Sequence, residues 1–385
     1  MENEISNFVK VWVSVILSLW YCYAISKAVP KGTTRLLVVL PVVFFFLYLP
    51  LNLTTMHLGG PSAFFIGWLA NFKLLLFAFG KGPLSSDPSI SLPHFVAVGC
   101  LPIKMKVQYK HEQPPKSPTT TTSFVQNREN PYTLSNQDGI NRPKGLKLLP
   151  QIIFALKGVI LAVVVYLNNY SEYLHPIVIL FLNCLHVYLL LERILTIVAV
   201  LARALLGIEL EPQFNEPYLS TSLQDFWSRR WNLMVPSILR PTVYEPILNA
   251  TTCLVGRKWA PVPATLGTFF VSGLMHELIF YYLGRMWPTW ELTWFFLLHG
   301  VCLTLEIAAK KTVMGRWQLP WLISGPLTVG FVMATGCWLF FPSLYRCGAF
   351  VRGAQEYAAL CTFFTNVIHH FRVFWSLNIH QKEGL

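Results

Sequence analysis

Residues 259–284 read WAPVPATLGTFFVSGLMHELIFYYLG. The run is apolar and continuous, and a bilayer core takes about 20 apolar residues per helix. His276 and Glu277 stand well inside it. An ionisable side chain at that depth is costly and as a rule faces a cavity or a partner. At helical spacing Ser272 and His276 share a face. Glu277 is turned about 100° away, toward another helix. Neutral imidazole is the natural general base near neutral pH, which makes His276 a candidate for chemistry rather than for packing.

The same pattern recurs along the chain. Apolar runs cover about 8–26, 36–56, 62–80, 148–168, 175–191, 259–284, 292–309, 317–341 and 356–378, each of spanning or near-spanning length. The expected fold is all-α, a polytopic transmembrane protein of about nine spans around a buried chamber. A membrane barrel would need alternating runs of about ten residues, and these are unbroken. Composition agrees: 54% of the 385 residues are hydrophobic and 12% are charged, against about 25% charged in a soluble domain.

The net charge of +12 has no basic-aromatic face beside it, which excludes nucleic acid as a partner. The basic residues lie between apolar runs, where they set orientation and meet anionic headgroups. Residues 104–147 hold eight Lys/Arg against three Asp/Glu, with prolines and a threonine run. They are expected to form a flexible basic loop in the cytosol. The patches 92–103 and 194–210 are expected to lie in-plane or re-entrant, since full crossings would put basic stretches on the wrong side. Within the single domain 1–385, residues 211–300 are the expected catalytic region.

A second block breaks the apolar pattern: Ser222-Leu223-Gln224-Asp225-Phe226-Trp227-Ser228-Arg229-Arg230-Trp231-Asn232. Read as a helix, it puts Trp227 and Trp231 on one face and pairs Asp225 with Arg229. Two readings stand side by side. One is an interfacial amphipathic helix with Trp at headgroup level and Arg on lipid phosphate. The other is a docking surface for an anionic co-substrate, since the Arg fork suits phosphate, with Asn232 directed inward.

Other chemistries find little support. Eight scattered cysteines include no C-x-x-C pair, so neither a zinc site nor a disulfide framework is indicated. No recognised ligand spacing indicates a metal, and a Gly-x-Ser-x-Gly elbow is absent. A multispan transporter would explain the helices and the buried histidine, but not the Trp-Arg-Arg-Trp-Asn block. A scaffold that has lost catalysis would have no need of His276 and Asn232. Were His276 structural, His299 or His369 would be the next candidate base.

The two blocks are Ser222 to Asn232 and Ser272-Gly273-Leu274-Met275-His276-Glu277, with 43 residues between Asn232 and His276. Together with the polytopic layout and Leu101-Pro102-Ile103-Lys104, they resemble the plant wax synthase family of the membrane-bound O-acyltransferase superfamily. The resemblance implies a helical fold around a buried chamber in the endoplasmic reticulum membrane. It implies His276 and Asn232 as the catalytic pair, with Asp225, Trp227, Arg229, Arg230, Trp231, Ser272 and Glu277 around the substrates. It also implies acyl-CoA as co-substrate, with no bound cofactor, and a fatty alcohol, sterol, triterpenol or diacylglycerol as acceptor. The chemistry is coherent by itself. A thioester is already activated, so one base for the alcohol and one donor for the tetrahedral oxyanion suffice.

Overall fold

A computed structural model of the chain describes residues 2–86, 89–102, 149–207, 212–312 and 319–383. These residues are mainly helical, with no strand among them. The basic loop expected over 104–147 lies outside the described residues.

Helices α1 (Glu2–Ala28) and α2 (Thr33–Tyr48) pack together at the start of the chain. Helix α3 (Met56–Ser62), a π-helical stretch Ala63–Ala70 and α4 (Asn71–Ala78) form one rod, the most enclosed of the apolar helices. Short α5 (Leu92–Cys100) packs on α1, and α6 (Leu149–Asn168) pairs with α7 (Pro176–Leu206). The polar middle of the chain holds α8 (Leu223–Asp225), α9 (Met234–Leu239) and α10 (Glu245–Trp259), with π-helical turns at Phe226–Arg230 and Arg240–Tyr244. Helices α11 (Pro261–Gly284) and α12 (Glu291–Thr312) follow. Then α13 (Trp321–Thr335) passes through a π-helical turn, Gly336–Phe340, into α14 (Phe341–Arg346), and α15 (Ala349–Glu383) ends the chain.

Among the described residues six helical stretches are long and apolar enough to cross a membrane: Asn3–Ala28, Thr33–Asn52, Met56–Ala78, Pro261–Gly284, Glu291–Thr312 and Trp321–Arg346. Of the remaining apolar runs, residues 149–168, 176–191 and 356–378 are helical as well, in α6, α7 and α15.

Helix α5 has 9 residues, about 13 Å of rise, far short of a bilayer core. It is held by Lys73, which is fully buried and donates from Nζ to the carbonyls of Val98 and Leu101, each at 2.6 Å. A cation on the last carbonyls of a helix satisfies acceptors that have no partner within the helix. Residues 194–206 continue α7, a helix of 31 residues. Glu192 and Arg193 interrupt the apolar run in the sequence, and α6 supplies a partner to each. Lys157 reaches Glu192 at 2.6 Å, and Arg193 donates to the Phe154 carbonyl and covers the Phe154 ring.

Helices α11 and α12 make the tightest crossing, and glycine permits it. A Cβ on Gly273 would lie 2.8 Å from the Thr293 Cα. Small residues let backbones approach in this way where lipid removes the hydrophobic drive between helices. The crossing brings the face of α11 that carries Ser272 and His276 against α12.

Candidate active site

His276 is half-buried in the middle of α11. Its Nδ1 lies 2.7 Å from the Ser272 carbonyl oxygen. A carbonyl only accepts, so Nδ1 carries the hydrogen and Nε2 keeps the lone pair. Aromatic rings surround the imidazole: Phe296 at 4.4 Å between centroids, Trp68 at 5.2 Å and Phe340 at 5.8 Å. Trp68 is itself buried, and its Nε1 has no partner among the described residues. The result is a basic nitrogen in an apolar, water-poor setting beside an unused donor.

Glu277, buried, turns to the start of α12, where it accepts from the Thr293 backbone N–H at 3.2 Å. It braces the α11–α12 crossing, as its rotation away from His276 suggests. Ser272 is also buried and contributes its carbonyl.

The second block is not the α-helix its spacing suggests. Only Leu223–Asp225 is α-helical, and Phe226–Arg230 forms a π-helical turn. The Trp231 N–H reaches back to the Phe226 carbonyl at 2.9 Å, five residues earlier. That wider turn changes every neighbour. Asp225 pairs with Arg230 at 2.6 Å, not with Arg229. Trp227 and Trp231 do not share a face. Trp231 stacks on Phe226 at 5.4 Å and packs with Phe214 and Tyr188. Trp227 packs on Phe269, Phe295 and Phe296. The two indoles therefore belong to two separate apolar clusters, with the turn strung between them.

Trp227 ties the turn to α12 and α13. Its Nε1–H donates to His299 Nδ1 at 3.1 Å, so His299 carries its hydrogen on Nε2, which reaches Thr335 Oγ1 at 2.8 Å. The Thr335 hydroxyl donates onward to the Phe331 carbonyl at 2.7 Å. His299 is completely buried, with both nitrogens committed. Glu306 holds the other end, accepting from the Leu223 N–H at 2.7 Å. The block is thus fixed at both ends before the chain reaches Asn232.

Asn232 adopts a left-handed backbone, φ 41°. Its Oδ1 is buried with no partner among the described residues. A buried amide that the protein does not satisfy is disfavoured unless a ligand completes it. Arg229 is exposed and makes no ion pair among the described residues, whereas Arg230 is bound to Asp225 and to the carbonyls of Asn215 and Glu216.

The blocks meet through shared rings. Trp227 contacts Phe296 at 5.7 Å, and Phe296 contacts His276. Three π-helical segments converge here, contributing Trp68, Trp227 and Phe340. Such segments occur often at functional sites. Sequence reading missed Trp68, Phe296, Phe340 and the His299–Thr335 link. Aromatic and threonine residues in apolar runs give no signal until the helices pack.

A sequence model of the membrane bound O-acyl transferase family matches residues 210–298, which include both blocks. The chain is similar over nearly its whole length to acyl-CoA–sterol O-acyltransferase 1 of Arabidopsis thaliana, with 47% identity over 94% of this chain and 97% of that protein. It is 45% identical to the long-chain-alcohol O-fatty-acyltransferase of Simmondsia chinensis, over 94% and 96% respectively. A probable long-chain-alcohol O-fatty-acyltransferase 3 of Arabidopsis thaliana is 44% identical over 96% and 98%.

Proposed function

The chain belongs to the membrane bound O-acyl transferase family and transfers acyl groups to an alcohol; we propose that His276 is its general base, that acyl-CoA is the donor and that a long-chain lipid alcohol is the acceptor. The observation that carries this reading is the state of His276, with Nδ1–H bonded to the Ser272 carbonyl and Nε2 basic among aromatic rings. As the alcohol oxygen attacks the thioester carbonyl, its proton passes to Nε2. The oxyanion accepts a hydrogen bond from the Asn232 Nδ2–H. The C–S bond then breaks, and the coenzyme A thiolate takes the proton from the imidazolium. Rings around the base keep water from competing with the alcohol.

A sterol acceptor is the second reading, favoured by the 47% identity to a sterol acyltransferase. Both are tested with purified protein, a panel of alcohols and acyl-CoA, reading free thiol and ester together. Equal amounts of thiol and ester, formed only when both substrates are present, are the expected outcome. Alcohol movement across vesicles with no thiol release would overturn the reading in favour of transport.

The arginines divide the binding work. Arg229, exposed and without an ion pair among the described residues, is the group for coenzyme A phosphate, while Arg230 holds the turn through Asp225. Arg229→Ala should raise the KM for acyl-CoA several-fold and leave the KM for the alcohol unchanged. Arg230→Ala should instead lower the yield of folded protein. An Arg229→Ala enzyme with normal KM for acyl-CoA would place the phosphates elsewhere.

A further inference from the structure

A second polar cluster lies inside the helices, away from His276. Glu356 of α15 accepts from the backbone N–H groups of Met56 and His57 at 2.6 and 2.9 Å, and from His57 Nδ1 at 2.6 Å. With Nδ1–H donated to the carboxylate, His57 Nε2 is left as an acceptor. The Tyr357 ring lies 4.4 Å from His57 and 6.4 Å from His186 between centroids. The Asn168 amide donates to Asn183 Oδ1 at 3.2 Å and approaches His186 Nδ1 at 3.5 Å. That leaves His186 Nε2 as a donor. Two atoms of this cluster, Tyr357 Oη and Asn168 Oδ1, are buried with no partner among the described residues.

Four helices build this place: α3, α6, α7 and α15. Ionisable groups inside a membrane protein mark binding or transfer sites more often than packing, and buried polar atoms without partners call for a guest. The described residues hold no group of three or more His, Cys, Asp or Glu placed to share a metal ion. The atoms on offer are neutral donors and acceptors, which match one hydroxyl able to give and to take a hydrogen bond. The cluster also connects to the base. Phe350 touches His186 at 5.9 Å and stacks on Phe341 at 6.2 Å. Phe341 touches Phe340 at 6.4 Å, and Phe340 touches His276.

Its position adds direction. Glu306, toward the end of α12, holds the Arg229 block at Leu223, while Glu291, at the start of α12, pairs with Arg346 just before α15. The α15 junction and the arginine block therefore sit at opposite ends of one helix.

We infer that the cluster of His57, His186 and Tyr357 binds the hydroxyl of a lipid alcohol, as a staging site from which the acceptor passes along the Phe350–Phe341–Phe340 wall to His276. The inference rests on the acyl-transfer reading for its purpose, but not for its occupancy.

Tyr357→Phe is the informative change. The hydroxyl it removes has no partner among the described residues, so a purely structural tyrosine would lose nothing. Glu356 is unsuitable, because it holds the start of α3. In full-length protein, Tyr357→Phe should raise the KM for the alcohol about tenfold, the scale of one hydrogen bond. The KM for acyl-CoA and the thermal stability should stay unchanged. A long-chain alcohol carrying a diazirine beside its hydroxyl should label the start of α15 saturably, be displaced by unlabelled alcohol, and label His276→Gln protein as well. Saturable labelling without any turnover would sustain the site while sinking the acyl-transfer reading. Unchanged alcohol KM in Tyr357→Phe, or labelling that excess alcohol does not displace, would overturn the site.

Discussion

Replacing His276 with Gln should lower turnover about 10²–10⁴-fold, the usual worth of a positioned general base, in protein that still folds and inserts. Gln is the discriminating replacement because its amide N–H can keep the bond to the Ser272 carbonyl but cannot take a proton from an alcohol. The wild-type rate should rise with pH as the group that must be neutral loses its proton, and the variant should lose that ascending limb. The KM for acyl-CoA should move little, since the arginine block is held by Trp227 and Glu306 rather than by His276. Among the described residues no neighbouring imidazole can substitute. His299 has both nitrogens bonded and is completely buried, and His369 lies exposed on the outer part of α15. Near-normal turnover by folded His276→Gln would make His276 structural.

Removing the Asn232 amide should cost about 10²–10³ in kcat, as for one oxyanion donor. Two variants separate chemistry from backbone. Asn232 sits at φ 41°, where Asn and Gly are at ease and Ala is strained. Asn232→Gly keeps the turn and loses the amide, so it should fold normally and turn over slowly. Asn232→Ala should lose both activity and folded yield. Measuring kcat at saturating substrate with folded protein counted separately decides the matter. A fully active Gly variant would mean that the residue serves only to turn the chain between Trp231 and α9.

Much of this protein can be read directly from its residues. Unbroken apolar runs become helices because no water in the bilayer satisfies backbone groups, leaving the helix as the available form for a continuous run. His276 and Asn232 stand out for the same reason, since polar side chains where lipid or buried protein is expected need a purpose. Helical spacing also places Glu277 correctly, away from Ser272 and His276.

Spacing alone failed where the backbone leaves the α-helix. The rule that residues four apart are neighbours assumes α-helical turns. The π-helical turn at Phe226–Arg230 shifts contacts to five residues, giving Asp225 to Arg230 instead of Arg229 and sending the two tryptophans into different clusters. Packing decides that turn, since Trp227 must reach His299 on α12 while Trp231 must reach Phe214 and Tyr188. Likewise, Glu192 and Arg193 look like a helix break until α6 supplies their partners. His57 and Glu356 meet from positions 299 residues apart. Local sequence sets which segments are helical and which side chains are costly to bury. The partners that offset that cost come from other helices, and tertiary packing alone decides which ones they are.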